Sequence, residues 1–317
     1  MKNFTYFSEL CMNLTNKDNA MKHCLMTFLC VIGLVCATTT SAYDTKAKSL
    51  LWRVTSPTGA TSFIYGTIHI GDSAVFRQRD SILIVLKASR RLYAEIDLDS
   101  VASQVLANPP SMFLEDGKTL RDFYAQADYE LIMTVLRKKM GPLAGAANRM
   151  KPSMIVAILA KDEVASESDL VGMDQFLWQT ATRVGIERRG VETALEQLHV
   201  LDSMPPSILL DFVKNGHEQD SMFQQLVHMY TTEDLAAVGE LMKEMDDWGT
   251  FGAMINDDRN ARMVKRLQPE FAHGGILLAV GALHLPGSNG LLSRLERVGF
   301  HVTPVLGGKR VNLLAAP

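Results

Sequence analysis

Twice in this chain of 317 residues a β-type run closes on Gly-x-x-His and passes into a helical one. The first copy follows residues 62–65 (SFIY) and reads Gly66-Thr67-Ile68-His69. The chain then turns at Gly71-Asp72, reads as a helix over 81–90 and as a strand over 91–96 (RLYAEI). The second copy follows residues 276–280 (ILLAV) and reads Gly281-Ala282-Leu283-His284. Leu285-Pro286-Gly287 comes next, then a helix over 289–298 ended by Gly299, then a strand over 301–305. Strand, tight turn, helix and strand in about thirty residues make a βαβ unit. One Gly-x-x-His is common in any chain. Two in the same context ask for a sheet with parallel connections at both ends of the sequence. A further strand over 49–54, turned at Ser56-Pro57-Thr58-Gly59, pairs with 62–65 as a hairpin.

Between the two units, over about residues 100–268, helical periodicity dominates. Residues 118–139 carry Leu120, Phe123, Tyr124, Ala127, Leu131, Val135 and Leu136 at helical spacing and read as one helix. Further helices are expected over 154–160, 173–183, 192–201, 232–245 and 256–267, with Pro205-Pro206 opening another at its favoured first turn. Only 185–191 reads as a strand. The methionines of this stretch recur at helical spacing and read as core filler. The expected fold is α/β, with α+β open. A mixed, partly parallel sheet comes from the two βαβ-like units, a large helical insertion lies between them, and one domain covers 43–317.

The four cysteines, at 11, 24, 30 and 36, all fall in the first thirty-six residues. A disulfide framework, a thiolate metal site and a cysteine nucleophile are thereby excluded from the rest of the chain. Any metal must be held by imidazole, carboxylate or carbonyl. Lys+Arg 32 against Asp+Glu 35 leaves a net charge of -3 and no electrostatic case for nucleic-acid binding. Met21-Lys22-His23 opens a short basic segment, and residues 24–36 are apolar but for Thr27 and Gly33. That run is shorter than the roughly 20 residues of a spanning helix. It reads as a secretory signal over 21–42, cut near Ala42, preceded by a leader of doubtful status over 1–20. A periplasmic or secreted product without a stable membrane anchor is expected, or an anchored one if the signal is retained.

In parallel sheets, sites collect beyond the C-terminal ends of the strands. His69 and His284 stand there. Alternation along 91–97 sets Tyr93, Glu95 and Asp97 on one face of a strand. Glu95 lies at that strand's C-terminal end, and a buried carboxylate must be paired or metal-bound. Its alternatives are a site residue, a partner for a core arginine, or a role taken instead by Asp97. Two histidines and a carboxylate can hold a divalent ion with an open position, although the spacing is unlike H-E-x-x-H. Asp174, after Gly172-Met173, reads as an N-cap or, less favoured, a site residue. Glu192 complements a helix N-terminus or reaches the cleft. Arg259 binds a substrate carboxylate, steadies an oxyanion, or pairs at the surface with Asp257 or Asp258. The other six histidines have no matching context.

These segments resemble the TraB–PrgY–GumN family, which is similar to the Tiki proteases and more distantly to erythromycin-esterase-like and ChaN-like proteins. The matching stretches are Tyr65-Gly66-Thr67-Ile68-His69, Tyr93-Ala94-Glu95, Gly172-Met173-Asp174, Val191-Glu192-Thr193 with Glu196-Gln197-Leu198, Asp258-Arg259-Asn260, and the run from Val280 to Gly287. The resemblance implies an α/β domain with paired Gly-x-x-His motifs and a metal-dependent hydrolase site at His69, Glu95 and His284, with Arg259 nearby. Its Tiki branch implies a divalent ion such as manganese or cobalt; zinc is the third candidate. The expectation is an exported metal-dependent, peptidase-like hydrolase acting on a peptide or small molecule. His69, Glu95 and His284 are the expected metal ligands, Glu192 or Asp97 the base, and Arg259 the oxyanion partner. The alternatives are a metal-free, histidine-based esterase and a non-catalytic protein that sequesters a peptide or other ligand.

Overall fold

The computed structural model describes residues 48–70, 73–164, 171–215, 219–243 and 248–306. The expected leader and signal segment, which together hold all four cysteines, and the Gly71-Asp72 turn lie outside them. Six strands form one sheet: β1 (Leu51–Thr55), β2 (Thr61–Thr67), β3 (Arg91–Ile96), β4 (Glu187–Glu192), β5 (Ile276–Gly281) and β6 (His301–Pro304). Their order is β4-β3-β5-β2-β1-β6. The four strands from β4 to β2 are mutually parallel, while β1 is antiparallel to both β2 and β6. The central strand β5 is apolar on both faces, and its first five residues are buried, as a parallel strand covered on both sides requires. The α/β reading and the hairpin of β1 and β2 hold.

Eleven helices of seven residues or more stand among the described residues. The first is α1 (Arg79–Ala88), which links β2 to β3. The series α2 (Val101–Ala107), α3 (Gln126–Met140), α4 (Pro152–Val164), α5 (Met173–Arg183), α6 (Ala194–Asp202), α7 (Pro206–Lys214), α8 (Gln219–Thr231), α9 (Leu235–Lys243) and α10 (Asp258–His273) follows, and α11 (Leu291–Arg297) lies between β5 and β6. The main core packs α1, α5, α10 and α11 on the sheet through Ile82, Leu86, Leu177, Met263, Leu267 and Leu292. A second apolar cluster joins α3, α4 and α7 through Ile132, Leu136, Ile155 and Leu209. No helix among the described residues is long and apolar enough to cross a membrane.

The single helix expected over 118–139 is two elements. Asp122 accepts from the Thr119 amide at 2.7 Å and closes a 3-10 turn over Leu120–Asp122. Ala125 is extended, at φ -60 and ψ 155, so α3 begins only at Gln126. The local capping box outcompetes the continuous apolar stripe. The helix expected to start at Glu192 starts two residues later: Thr193 caps it and Glu196 returns the bond, which leaves Glu192 as the last residue of β4. A π-helical turn, Ala253–Asp257, runs directly into α10. Such turns recur at functional sites.

Candidate active site

Because β4, β3, β5 and β2 are parallel, their C-terminal ends share one edge of the sheet. Each delivers a polar side chain to it. Glu192 is the last residue of β4, Glu95 the penultimate residue of β3, and His69 and His284 follow β2 and β5 by two and three residues. Register aligns them: Thr67 lies opposite Gly281, and Ile96 opposite Glu192. Helix α10 brings a fifth group. Its buried face runs Arg259, Asn260, Met263, Val264, Leu267, Phe271, so two polar residues continue an apolar stripe toward the sheet edge.

Arg259 is 3% exposed, and its ion pairs among the described residues are with the buried carboxylates of Glu95 and Glu192. Its Nη2 donates to Glu95 Oε2 at 2.6 Å, and its Nε to Glu192 Oε2 at 2.9 Å. Its Nη1 donates to the Ile255 carbonyl of the π-turn at 3.3 Å. The surface-pair alternative for Arg259 and the helix-terminus alternative for Glu192 are thus overturned. Burying either carboxylate in water-free surroundings is costly unless it is paired, and the buried guanidinium supplies the pairing for both. Arg262 adds a bond to Glu192 Oε1 at 3.3 Å. Gln197, on α6, donates from Nε2 to Glu95 Oε2 at 3.1 Å and to Glu192 Oε2 at 3.4 Å. The Gly281 amide donates to Glu95 Oε1 at 2.8 Å. A side chain on Gly281 would put its Cβ 3.1 Å from that same oxygen, so the first glycine of the second motif makes room for Glu95. Burial pushes the Glu95 carboxyl up. Arg259 first, then the imidazoles of His284 and His69 and the Gly281 amide, override it and hold the group well below the usual carboxylate range.

Both histidines are anchored through Nδ1. His69 Nδ1 lies 2.6 Å from Asp174 Oδ1, and His284 Nδ1 lies 2.7 Å from Asn260 Oδ1. Asp174 is therefore not the N-cap of α5. Gly172 caps that helix, Asp174 sits in its first turn, and the Met173 amide bonds the Ile68 carbonyl at 3.1 Å, which draws the helix start onto the His69 turn. An aspartate before a helix reads as a cap from sequence because only the tertiary contact reveals the imidazole above it. The Asn260 amide is oriented by its own donor, Nδ2, which bonds the Asn289 carbonyl at 3.1 Å. Oδ1 must then accept from His284, so the proton is on Nδ1 and Nε2 is bare. That bare nitrogen faces Glu95 Oε1 at 3.6 Å. Burial and Arg259 push the His284 imidazole down to about 4. Burial also pushes His69 down, but the Asp174 carboxylate outweighs it and the net direction is up.

A small recess opens beside these groups, lined by Thr67, His69, Ala94, Glu95, Ile96, Leu98, Asp174, Gln197 and Ala279. Asp97 does not line it. Its Oδ1 accepts from the amides of Asp99 and Ser100 at 2.9 and 3.3 Å and shapes the turn before α2. Sequence reasoning named His69, Glu95, Glu192, His284 and Arg259, which share this edge. It gave Gln197 and Asn260 no role. The readable signal for Asn260 was a polar residue on the apolar face of α10.

Among the described residues, no three His, Asp or Glu side chains are drawn together tightly enough to hold a metal ion. The donor types nonetheless fit one. Each imidazole has its second nitrogen tied to an oxygen acceptor, the arrangement that orients metal-ligating histidines. The nitrogen of His284 and the oxygen of Glu95 face each other with two lone pairs and no proton assigned between them, a place that suits a cation. Asn260 should be essential to that orientation. Asn260→Ala leaves His284 Nδ1 without its acceptor, while the Asn289 carbonyl keeps Arg294 Nε at 2.7 Å, and should cost about 1–3 kcal/mol in equilibrium urea unfolding. Asn260→Asp keeps the acceptor for Nδ1 and should cost less. Equal losses in both would contradict the anchoring role.

A model of the TraB/PrgY/gumN family matches residues 50–304. An uncharacterized protein of Treponema pallidum (strain Nichols) is 24% identical over 273 aligned residues, which cover 78% of each chain. The human protein named Metalloprotease TIKI1 is 24% identical over 329 aligned residues, covering 85% of this chain and 64% of its own length. This chain thus spans less than two thirds of that relative.

Proposed function

The chain belongs to the TraB/PrgY/gumN family, and on that premise we propose that it is an exported, metal-dependent hydrolase of peptidase type. It acts in the periplasm or outside the cell, on peptide or other small-molecule substrates. One observation carries the reading: two imidazoles tied at Nδ1 to Asp174 and Asn260, with Glu95 Oε1 facing the Nε2 of His284. The distant likeness to a protein named a metalloprotease supports it. His69, Glu95 and His284 are the residues that would hold a divalent ion, manganese, cobalt or zinc. When bound there, it would supply Lewis acidity and an activated water for attack on a carbonyl carbon.

The chain's own residues set the stage for that chemistry. Arg259 keeps Glu95 and Glu192 ionised and fixed in a buried position. A carboxylate held as low as Glu95 is a poor proton acceptor and suits a ligand. Glu192 is ion-paired at both oxygens, and Asp97 is turned into its own loop. The reading therefore gives neither of them a proton-transfer role. Arg259 has its Nη2 and Nε committed to carboxylates, so its part is to position Glu95 rather than to meet an oxyanion.

A second reading rests on the His69–Asp174 pair. A base held by a carboxylate behind it is the arrangement of metal-free acyl hydrolysis. Metal content of the purified protein, measured by mass spectrometry beside His69→Ala and His284→Ala, separates the two. The metal reading expects about one divalent ion per chain, lost in both variants, and peptide cleavage abolished by chelation and restored by manganese or zinc. Unchanged metal content in both variants would sink the ligand assignment. Cleavage that survives exhaustive chelation, yet is lost in His69→Ala, would favour the second reading. Tight capture of a peptide without turnover would leave a sequestering protein.

A further inference from the structure

We propose that the helical hairpin α8–α9 is a clamp that holds the two Gly-x-x-His turns against each other, with Tyr230 and Glu233 as its positioning residues. This deepens the hydrolase reading. It rests on that reading for what the histidines do, but not for how they are held.

The clamp begins where the β1–β2 ladder stops. Leu51 lies opposite Tyr65, so Leu50 and Gly66 form the next rung. In an antiparallel ladder a hydrogen-bonded rung exchanges two bonds, amide to carbonyl in each direction. Here the Gly66 amide bonds the Leu50 carbonyl at 2.9 Å, and side chains from the end of α8 take the other two groups. The Tyr230 hydroxyl lies 3.0 Å from the Gly66 carbonyl, and the Glu233 carboxylate accepts from the Leu50 amide. Tyr230 is buried, and its oxygen is also 3.0 Å from the Tyr65 hydroxyl. A phenol has one proton and a carbonyl can only accept, so Tyr230 gives its proton to Gly66 and takes one from Tyr65. Glu233 has φ 53, a left-handed backbone that glycine adopts freely and other residues rarely do. Its bond to Leu50 is a reason for a glutamate at that position.

Gly66 is also the point where the two motifs touch. An added Cβ there would lie 2.9 Å from Leu285 Cδ1 and 3.1 Å from the Cα of Ala282. The turn that carries His284 therefore sits against the residue whose carbonyl Tyr230 holds. Helix α9 packs on the same 3-10 turn, Ala282–His284, and its Gly239 would place an added Cβ 3.4 Å from Pro286 Cβ. One hairpin thus grips the first motif through hydrogen bonds and the second through van der Waals contact. Releasing the Gly66 carbonyl should loosen both turns at once.

The test follows the imidazole signals of His69 and His284 by nuclear magnetic resonance in the isotope-labelled, metal-free protein. Tyr230→Phe removes one hydroxyl and should shift the signals of both histidines. Tyr124→Phe is the control, because the Tyr124 hydroxyl donates to the Pro206 carbonyl at 2.6 Å beside the second apolar cluster. Each variant loses one phenol–carbonyl bond and should lower Tm by a few degrees. Only Tyr230→Phe should move the histidines. Glu233→Gly relieves the left-handed backbone while losing the bond to Leu50, so it should shift both histidines with little change in Tm. Glu233→Gln keeps an acceptor for the Leu50 amide and should leave them in place. Unchanged histidine signals in Tyr230→Phe, movement of His69 alone, equal shifts in Tyr124→Phe, or a glutamine variant that shifts as far as the glycine variant would each overturn the proposal. The measurement needs neither bound metal nor turnover, so failure of the hydrolase reading in the chelation experiment remains a separate result.

Discussion

Replacing Arg259 with methionine should destabilise the protein by about 3–5 kcal/mol, the cost typical of leaving a buried charge without its partner. For a chain of this size that corresponds to a fall in Tm on the order of 10 °C. The loss comes less from the bonds removed than from what they leave behind: Glu95 and Glu192, buried and ionised, with Gln197 and Arg262 as their remaining side-chain donors. The effect has a definite pH dependence. In the parent protein the folded Glu95 lies below its ordinary value of 4.5, so the stability it contributes is complete above that value and is lost only as pH falls through the lower, folded one. Without Arg259, burial dominates and the direction reverses. Glu95 then takes up a proton as the solution is acidified from neutrality, and the variant's deficit should shrink between about pH 7 and pH 5. Adding Glu95→Gln to Arg259→Met should recover part of the loss at pH 7, since the two residues share one network. Urea unfolding of the four proteins at both pH values decides it. A deficit independent of pH, with no recovery in the double variant, would mean that the guanidinium matters only as packing.

That cluster marks the boundary of what could be read in the sequence. The strand ends were legible because the signal is local: an apolar β-type run, a glycine, and a histidine before a helix. Register then follows, since parallel pairing of β2 with β5 brings the two motifs to the same sheet edge, one residue out of step. The partners of those residues were not legible, because they come from far along the chain. Arg259 reaches Glu95 across 164 positions, and Asp174 reaches His69 across 105. From sequence, Arg259 beside two aspartates looks like a surface ion pair, and Asp174 before a helix looks like a cap. Both local readings are chemically sound and both lose to burial. Glu95 shows the opposite case. From sequence a partner for a core arginine and a site residue are alternatives for it, yet its pairing with Arg259 leaves Oε1 facing His284, so one oxygen serves the ion pair and the other faces the imidazole. The 118–139 stretch failed for a different reason. Its apolar spacing was continuous, but Thr119 and Asp122 satisfy each other locally and end the first turn before the helix can propagate.

Gly172→Ala should separate the site from the fold more cleanly than any change to a charged residue. Gly172 has φ -61 and ψ 160, values open to alanine, so the glycine is not there for its backbone freedom. It is there for space. An added Cβ would lie 2.8 Å from the Cα of His69, 2.9 Å from its carbonyl carbon and 3.1 Å from Asp174 Oδ1. Two of these three neighbours are backbone and cannot rotate away. The start of α5 must then withdraw from the His69 turn, which lengthens both the Met173–Ile68 backbone bond and the 2.6 Å contact between Asp174 and His69 Nδ1. Overpacking of this kind costs about 1–3 kcal/mol. The larger effect should fall on function, because a shift of about 1 Å in a positioned group can lower turnover roughly a hundredfold. Gly145 provides the control. It lies in a short helical turn with nothing within 4 Å of an added Cβ, so Gly145→Ala should stabilise by roughly 0.5–1 kcal/mol. The same methyl group is expected to raise Tm at one glycine and lower it at the other. At Gly172 it should also remove the downfield Nδ1 proton signal of His69 that a bond of this length to a carboxylate produces. If that signal and the melting temperature both survive the substitution, the close approach of α5 is not what holds His69 in place.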